Sequence, residues 1–218
     1  MKDRLSSESA NVPSVTTRKY EQRLRAESAE QTRRDVLGAL EQRLREAPGA
    51  SVSIEDVARR AGVSRSTVYL VFGSRAGLFD ALADDLWDRS GLPRLTEAVA
   101  HADAREHLRG GLRTGVEIFA AMRDVAAVLY RMSALDPEAV GGSIARKEQH
   151  RWGGMLHLAT RLGEQDVLRP DVTVDEAAET LWVLASFESF DALYTGRGLP
   201  ADQVARVLIA MAERTLCR

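Results

Sequence analysis

Arg65, Ser66, Thr67 and Tyr69 follow Ser64 within one short stretch of the chain. An arginine guanidinium is a planar fork of donors that fits guanine O6 and N7. Serine and threonine hydroxyls serve base edges or phosphates, and the threonine methyl can touch a thymine methyl. A tyrosine hydroxyl can donate to a phosphate. The apolar Leu70 beside them offers a second surface to thymine methyls. This set is of the kind that makes contacts along a DNA duplex rather than one that makes or breaks bonds.

Such side chains need a rigid carrier. Ser53 reads as the N-cap of a first helix, and Asp56, three residues on, approximates the other half of a capping box. Ile54, Val57, Ala58 and Ala61 then form one apolar stripe at helical spacing. Ala58 is small enough to admit a second helix closely. Gly62 follows, where a helix end favours positive φ, and Val63 can plug the gap between helices. Ser64 caps the second helix, Arg65 to about Phe72, with Val68 and Phe72 facing inward. Two short helices about a tight turn match a helix-turn-helix. A plain helical hairpin in an all-α domain has the same caps and turn, so these residues alone leave both readings open.

The register of Ala58, Ala61-Gly62-Val63-Ser64, Thr67-Val68-Tyr69, Phe72-Gly73-Ser74-Arg75 and Leu78-Phe79 resembles the TetR family of transcriptional regulators. The resemblance runs from residue 33 to about 86; beyond it only length and helical layout agree. It implies that the helix at 65–71 lies in the major groove, with Arg65, Ser66 and Thr67 on bases and Tyr69 on the backbone. It also implies that Ser53 and Arg75 touch phosphate, where the fourth helix begins and offers free N–H groups. Leu70-Val71 departs from the family, which carries a polar or aromatic residue there and then often His.

The 218 residues are 44% hydrophobic and 28% charged, with a net charge of -2. That suits a small reader domain with a larger core-forming one. From Arg18 to Arg75 there are twelve Lys/Arg against eight Asp/Glu, so the remainder is acidic. That asymmetry fits a DNA-facing end. The single cysteine, Cys217, excludes an internal disulfide and reads as incidental. No apolar run suits a membrane span or a signal peptide, so the expected location is cytoplasmic.

The expected architecture is all-α, with a leader at 1–26 that reads as disordered, a helix-turn-helix domain at 27–90 and an effector-binding and dimerisation domain at 91–218. In the leader, Arg18, Lys19, Arg23 and Arg25 could form an arm that reaches DNA. The spacing predicts a first helix from Glu27 to Arg45, a fourth from Arg75, a break at Ser90–Pro93, and fifth and sixth helices around 108–119 and 125–135. A seventh follows at 144–162. One long eighth helix follows a capping box at Thr173 and Glu176, and a final helix has Pro200 at its first position. The eighth is apolar on more than one face, which calls for a partner. The resemblance places the last two helices in a four-helix seam of a homodimer.

Phe119, Met122, Tyr130, Trp152, Met155, His157 and Trp182 are the candidate effector contacts, with Met132 among the large side chains of the region. Tyr130, Arg151, His150 and His157 are the candidate polar anchors, and Trp182 and Phe187 either close the pocket or form the dimer seam. Core packing is the better reading of any one of them taken singly, and it is the resemblance that favours a pocket. No P-loop, GxGxxG, GxSxG or HExxH occurs, and the histidine spacings do not suit a helical metal pair. No enzyme activity, cofactor or metal is expected. The resulting expectation is a repressor that binds a palindromic operator as a homodimer and is released by a small-molecule effector. The rival readings are a helical small-molecule-binding or scaffold protein with a weakened reading head, and a ligand-independent or activating regulator.

Overall fold

The computed structural model describes residues 15–218, with side-chain surroundings from Lys19 onward except Glu21. Of the leader expected at residues 1–26, residues 1–14 lie outside the described residues. From Val15 the chain is already helical, twelve residues ahead of the expected start. Ten α-helices follow: α1 (Val15–Glu46), α2 (Ile54–Arg60), α3 (Arg65–Phe72), α4 (Arg75–Ser90), α5 (Leu92–Val99), α6 (Ala104–Leu135), α7 (Gly142–Glu164), α8 (Val174–Leu184), α9 (Phe187–Tyr194) and α10 (Ala201–Leu216). A π-helical turn, Pro137–Gly141, joins α6 to α7. Among the described residues the sole β-type pairing is an isolated bridge, Leu168 to Cys217.

The first half of α1 is exposed on every described side, whereas Val36, Leu37, Leu40 and Leu44 in its second half are buried. They pack with Ile54, Val57 and Ala58 of α2, Val68 of α3, and Leu78, Phe79 and Leu82 of α4. α4 also packs against α6, α7 and the π-helical turn, so the small head is seated on the larger body.

Three boundaries differ from the spacing-based expectation. The fifth and sixth helices are one helix, α6, because nothing between Phe119 and Val125 can break it. At 1.5 Å per residue it runs about 48 Å, touching α1, α4, α5, α7, α9 and α10. The expected break at Ser90–Pro93 is confined to Gly91, and α5 begins at once with Pro93 in its first turn. The long eighth helix is two. Ser186 is extended (φ -77, ψ 156) and caps α9 by accepting from Ser189 N–H at 3.1 Å, while Ser189 Oγ donates to the Val183 carbonyl at 2.6 Å. A serine pair spaced i, i+3 competes with the helix backbone for its own groups. The capping box at Thr173 and Glu176 is fully formed, and Pro200 is the N-cap of α10, one position earlier than expected.

Gly77, in the first turn of α4, permits the tightest approach in the head. A Cβ there would lie 2.2 Å from the Phe72 carbonyl oxygen at the end of α3. Gly77→Ala is therefore expected to lower the unfolding free energy by about 1–3 kcal/mol, read by urea denaturation. Unchanged stability would contradict this packing.

Candidate nucleic-acid interface and ligand cavity

α3 is anchored by its caps and one buried side chain. Ser64 Oγ accepts from Thr67 N–H at 3.1 Å and lies 2.7 Å from Ser66 Oγ and 2.8 Å from Thr67 Oγ1. Gly73 ends the helix at φ +74. Val68 alone among its residues is buried. At about 100° per residue, Ser66 and Leu70 then point almost directly away from the body, flanked by Thr67 and Tyr69. Leu70 is 87% exposed and Tyr69 39%. The Arg65 guanidinium sits 5.5 Å from the Tyr69 ring centroid, and its Nη2 donates to the Tyr69 hydroxyl at 3.4 Å. Arg65, Ser66, Tyr69 and Leu70 thus share an exposed face with no core role, and Thr67 lies at its edge.

α2 supports this face. Ser53 Oγ accepts from Asp56 N–H at 3.1 Å. The Asp56 carboxylate does not close the expected capping box; it meets Arg43 at 3.0 Å, Arg60 at 3.2 Å, and Arg59. Burial pushes its pKa up, but Arg60, Arg59 and Arg43 together hold it below the usual carboxylate range.

Arg75 does not stand free to meet a phosphate, as the resemblance implied. Its Nη1 donates to Asp136 at 2.6 Å and its Nε to the Val52 carbonyl at 3.2 Å, while the guanidinium lies 5.5 Å from the Phe79 ring centroid. The charge is answered inside the chain, by the residue that caps the C-terminus of α6.

A cavity of about 320 Å³ lies in the body, near the lower end of the roughly 300–1,000 Å³ typical of ligand pockets. Leu92, Leu95 and Val99 of α5 form one wall and Met155 and Leu158 of α7 another. Trp87 of α4 and His107 and Leu112 of α6 complete it. Lys147, His150 and Arg151 also line it, but no acidic side chain does. Lys147 pairs with Asp84 at 2.6 Å, and Arg151 Nε donates to Glu148 at 3.2 Å.

Arg161 closes the structure beneath. Its guanidinium donates to the carbonyls of Val99 at 3.2 Å and of His101 and Ala102 at 2.7 Å, and its Nη1 lies 3.1 Å from His107 Nδ1. It ties the α5–α6 connection to α7.

The expected effector contacts scatter. Of the seven, Met155 alone lines this cavity. Phe119 and Met122 are buried core, Phe119 packing edge-on against Trp87 at 5.9 Å. Tyr130 stacks on Phe187 at 4.8 Å, and its hydroxyl donates to Glu148 at 2.8 Å. Burial and then Glu148 push its pKa upward. Both Tyr130 and Phe187 border a wider, shallower surface groove that the Arg123–Asp191 pair also lines. Trp152 and Trp182 are exposed and meet edge-on at 6.5 Å. Met132 is packed on the core. His157 is exposed, 6.1 Å ring to ring from the buried His107. His107 was missed, although it falls in the apolar stripe of Ala104, Leu108, Gly111 and Leu112.

Comparison with known proteins decides the lineage of the head. Residues 42–82 match the profile of the bacterial regulatory proteins of the tetR family. Over those residues the head of the chain carries the sequence pattern of the TetR family. Two curated TetR-family relatives are from Mycobacterium tuberculosis. The HTH-type transcriptional regulator AlkX is 39% identical over 80 residues, which are 36% of this chain and 38% of AlkX. The HTH-type transcriptional regulator EthR is 33% identical over 85 residues, 38% of each chain. The match thus spans little more than a third of either relative. Among solved structures, NalD of Pseudomonas aeruginosa, the secondary repressor of the MexAB-OprM multidrug efflux pump, superposes with a TM-score of 0.68 at 25% identity. That match covers 88% of this chain and 98% of NalD.

The cavity in the body carries a pH signature. Burial, then the Arg161 charge and the neighbouring His157 and His101, lower the His107 pKa from 6.5 to about 4. The folded protein keeps the ring neutral where the unfolded chain takes up a proton. This contribution is intact above pH 6.5 and is lost as pH falls toward 4, by at most about 3 kcal/mol. Urea unfolding of wild type and His107→Gln across that window is expected to show a shallower acid loss in the variant. Parallel curves would contradict the assignment.

Proposed function

We propose that this chain is a homodimeric DNA-binding transcriptional regulator, most simply a repressor, that releases its operator when a small molecule fills the cavity beside α5. In this reading residues 27–90 are the DNA-binding head and 91–218 the ligand-binding and dimerising body. The observation that carries it is the outward face of α3. Leu70, a large apolar side chain, is 87% exposed on the helix crest, beside Ser66 and flanked by Arg65, Thr67 and Tyr69. Such a residue is useless to the core and is suited to a groove that presents thymine methyls. Arg65, Ser66 and Thr67 read bases, Tyr69 and Ser53 meet the backbone, and Ser64 fixes the helix start. Arg75 acts indirectly by fixing α4 against Asp136. AlkX and EthR are transcriptional regulators and NalD is a repressor, which agrees with this assignment. Coupling between cavity and head needs no chemistry, only a ligand that favours one spacing of the two heads.

Arg65→Ala is expected to cost about 1–3 kcal/mol of operator affinity and to relax preference at one base pair. Fluorescence anisotropy with the DNA upstream of the protein's own gene, and single-base variants of it, reads both. Full retained affinity and preference would remove Arg65 from the base-reading set.

Two heads require two protomers, since one eight-residue helix reads too few base pairs. The dimer seam runs along the last helical layers. α8 exposes Trp182 and Val183, and α10 exposes Met211. Trp182 meets Trp152 of α7 edge-on, and with the exposed Val183 next to Trp182 in sequence these side chains offer apolar surface of the kind that marks protein contacts. Val183→Asp is expected to weaken the dimer about tenfold or more by sedimentation, with a parallel loss of operator binding. An unaltered dimer would place the seam elsewhere.

A further inference from the structure

We infer that the cavity ligand is an uncharged, largely apolar molecule with one hydrogen-bond acceptor oxygen, such as a ketone, ester or ether, received by the Nε2–H of His107. This rests on the reading of the cavity as the effector site.

The apolar part of the argument comes from α5. Its sequence, LPRLTEAV, is strongly amphipathic, yet not one of its residues is buried. Its apolar side chains Leu92, Leu95 and Val99 face the cavity instead. A helix with one apolar face packs that face against something. Here the space it covers is the ligand's, and the Arg161 clasp on the carbonyls of Val99, His101 and Ala102 keeps the helix over it.

The polar part comes from His107. A guanidinium has donors and no acceptor. With Arg161 Nη1 at 3.1 Å, Nδ1 of His107 must accept, and in the neutral ring the proton sits on Nε2. Nε2 has no acceptor among the described residues. It is not sealed either, since no buried side-chain nitrogen or oxygen among them lacks a partner. It therefore keeps accessible surface on a residue that lines the cavity, and in this reading it is the donor left for the ligand.

The absence of net charge comes from the other polar walls. Lys147 is answered by Asp84 and Arg151 by Glu148, while Arg161 is spent on carbonyls and on His107. His150 is exposed. With no acidic lining residue, an ammonium would enter without a counter-charge. A carboxylate would have to compete with Asp84 or Glu148 for a cation already answered, and burying either ion without a full partner is costly.

Calorimetric titration of the full-length protein with 2-octanone, octanoate, octylamine and cyclohexane tests this. Wild type is expected to bind 2-octanone about tenfold or more tighter than octanoate or octylammonium. His107→Leu is expected to lose about tenfold in 2-octanone affinity, with cyclohexane unaffected, and His107→Gln, which keeps a neutral donor, to recover part of the loss. Octanoate or octylammonium binding as tightly as the ketone would overturn the inference while leaving the cavity a ligand site. So would a His107→Leu variant that binds the ketone as wild type does. The comparison among probes needs only wild type, so it stands even if the leucine variant fails to fold. Failure of every probe to bind would overturn the effector-site reading itself.

Discussion

α3 meets the interior of the protein through one fully enclosed side chain, Val68. That anchor, with the partly buried Phe72 one turn on, sets the rotation of the helix, and the rotation decides which residues face outward. With Val68 inward, Ser66 and Leu70 must form the crest, and no other phase satisfies the Ser64 cap and the Gly73 stop together. Shifting the anchor by one residue would turn the helix by about 100° and bring different side chains to the partner. Val57 and Ala58 on α2 and Leu78 and Phe79 on α4 form the socket that receives it. The outward face is thus fixed by residues that point the other way.

The body follows a different logic. The head sits on α4, α4 packs against the long α6, and Arg75 joins the start of α4 to Asp136 at the far end of α6. The cavity lies along the same two helices, with Trp87 of α4 and His107 and Leu112 of α6 in its walls. Head and cavity therefore share supporting elements, which is the minimum that a ligand-dependent change in head spacing requires. Arg161 and Gln165 fasten the connection before α6 to α7, making α5 the least embedded wall.

The reading head was legible in the sequence because its signals are local. Ser53, Ser64 and Ser74 are helix caps, Gly62 and Gly73 have positive φ, and the apolar spacing fixes the inward face. The role of Arg75 was not legible, because its partner Asp136 lies 61 positions away. The continuity of α6 was obscured by a change in apolar spacing near Phe119, although no breaker stood there. The division at Ser186 did leave a local trace in Ser186 and Ser189, but it was masked by the strong apolar run on both sides. The cavity was legible only in part: Met155, His150 and Arg151 line it, while the other candidates lie elsewhere for a physical reason. Phe119, Met122 and Tyr130 drew attention as large side chains, but large side chains fill space. The void is bounded by Gly111, Gly154 and Ala185 and by leucines. Small residues leave room, and in a sequence they read as nothing in particular.

The claim on which the account turns is that two copies of α3 enter the major groove of one duplex. Methylation protection at guanine N7 on the DNA upstream of the protein's own gene observes this directly, because N7 lies in the major groove. The account predicts two protected clusters centred about one helical turn apart, roughly 10 base pairs, or a whole multiple of it. Protection of a single cluster, or none at a protein concentration that shifts the DNA, would contradict it.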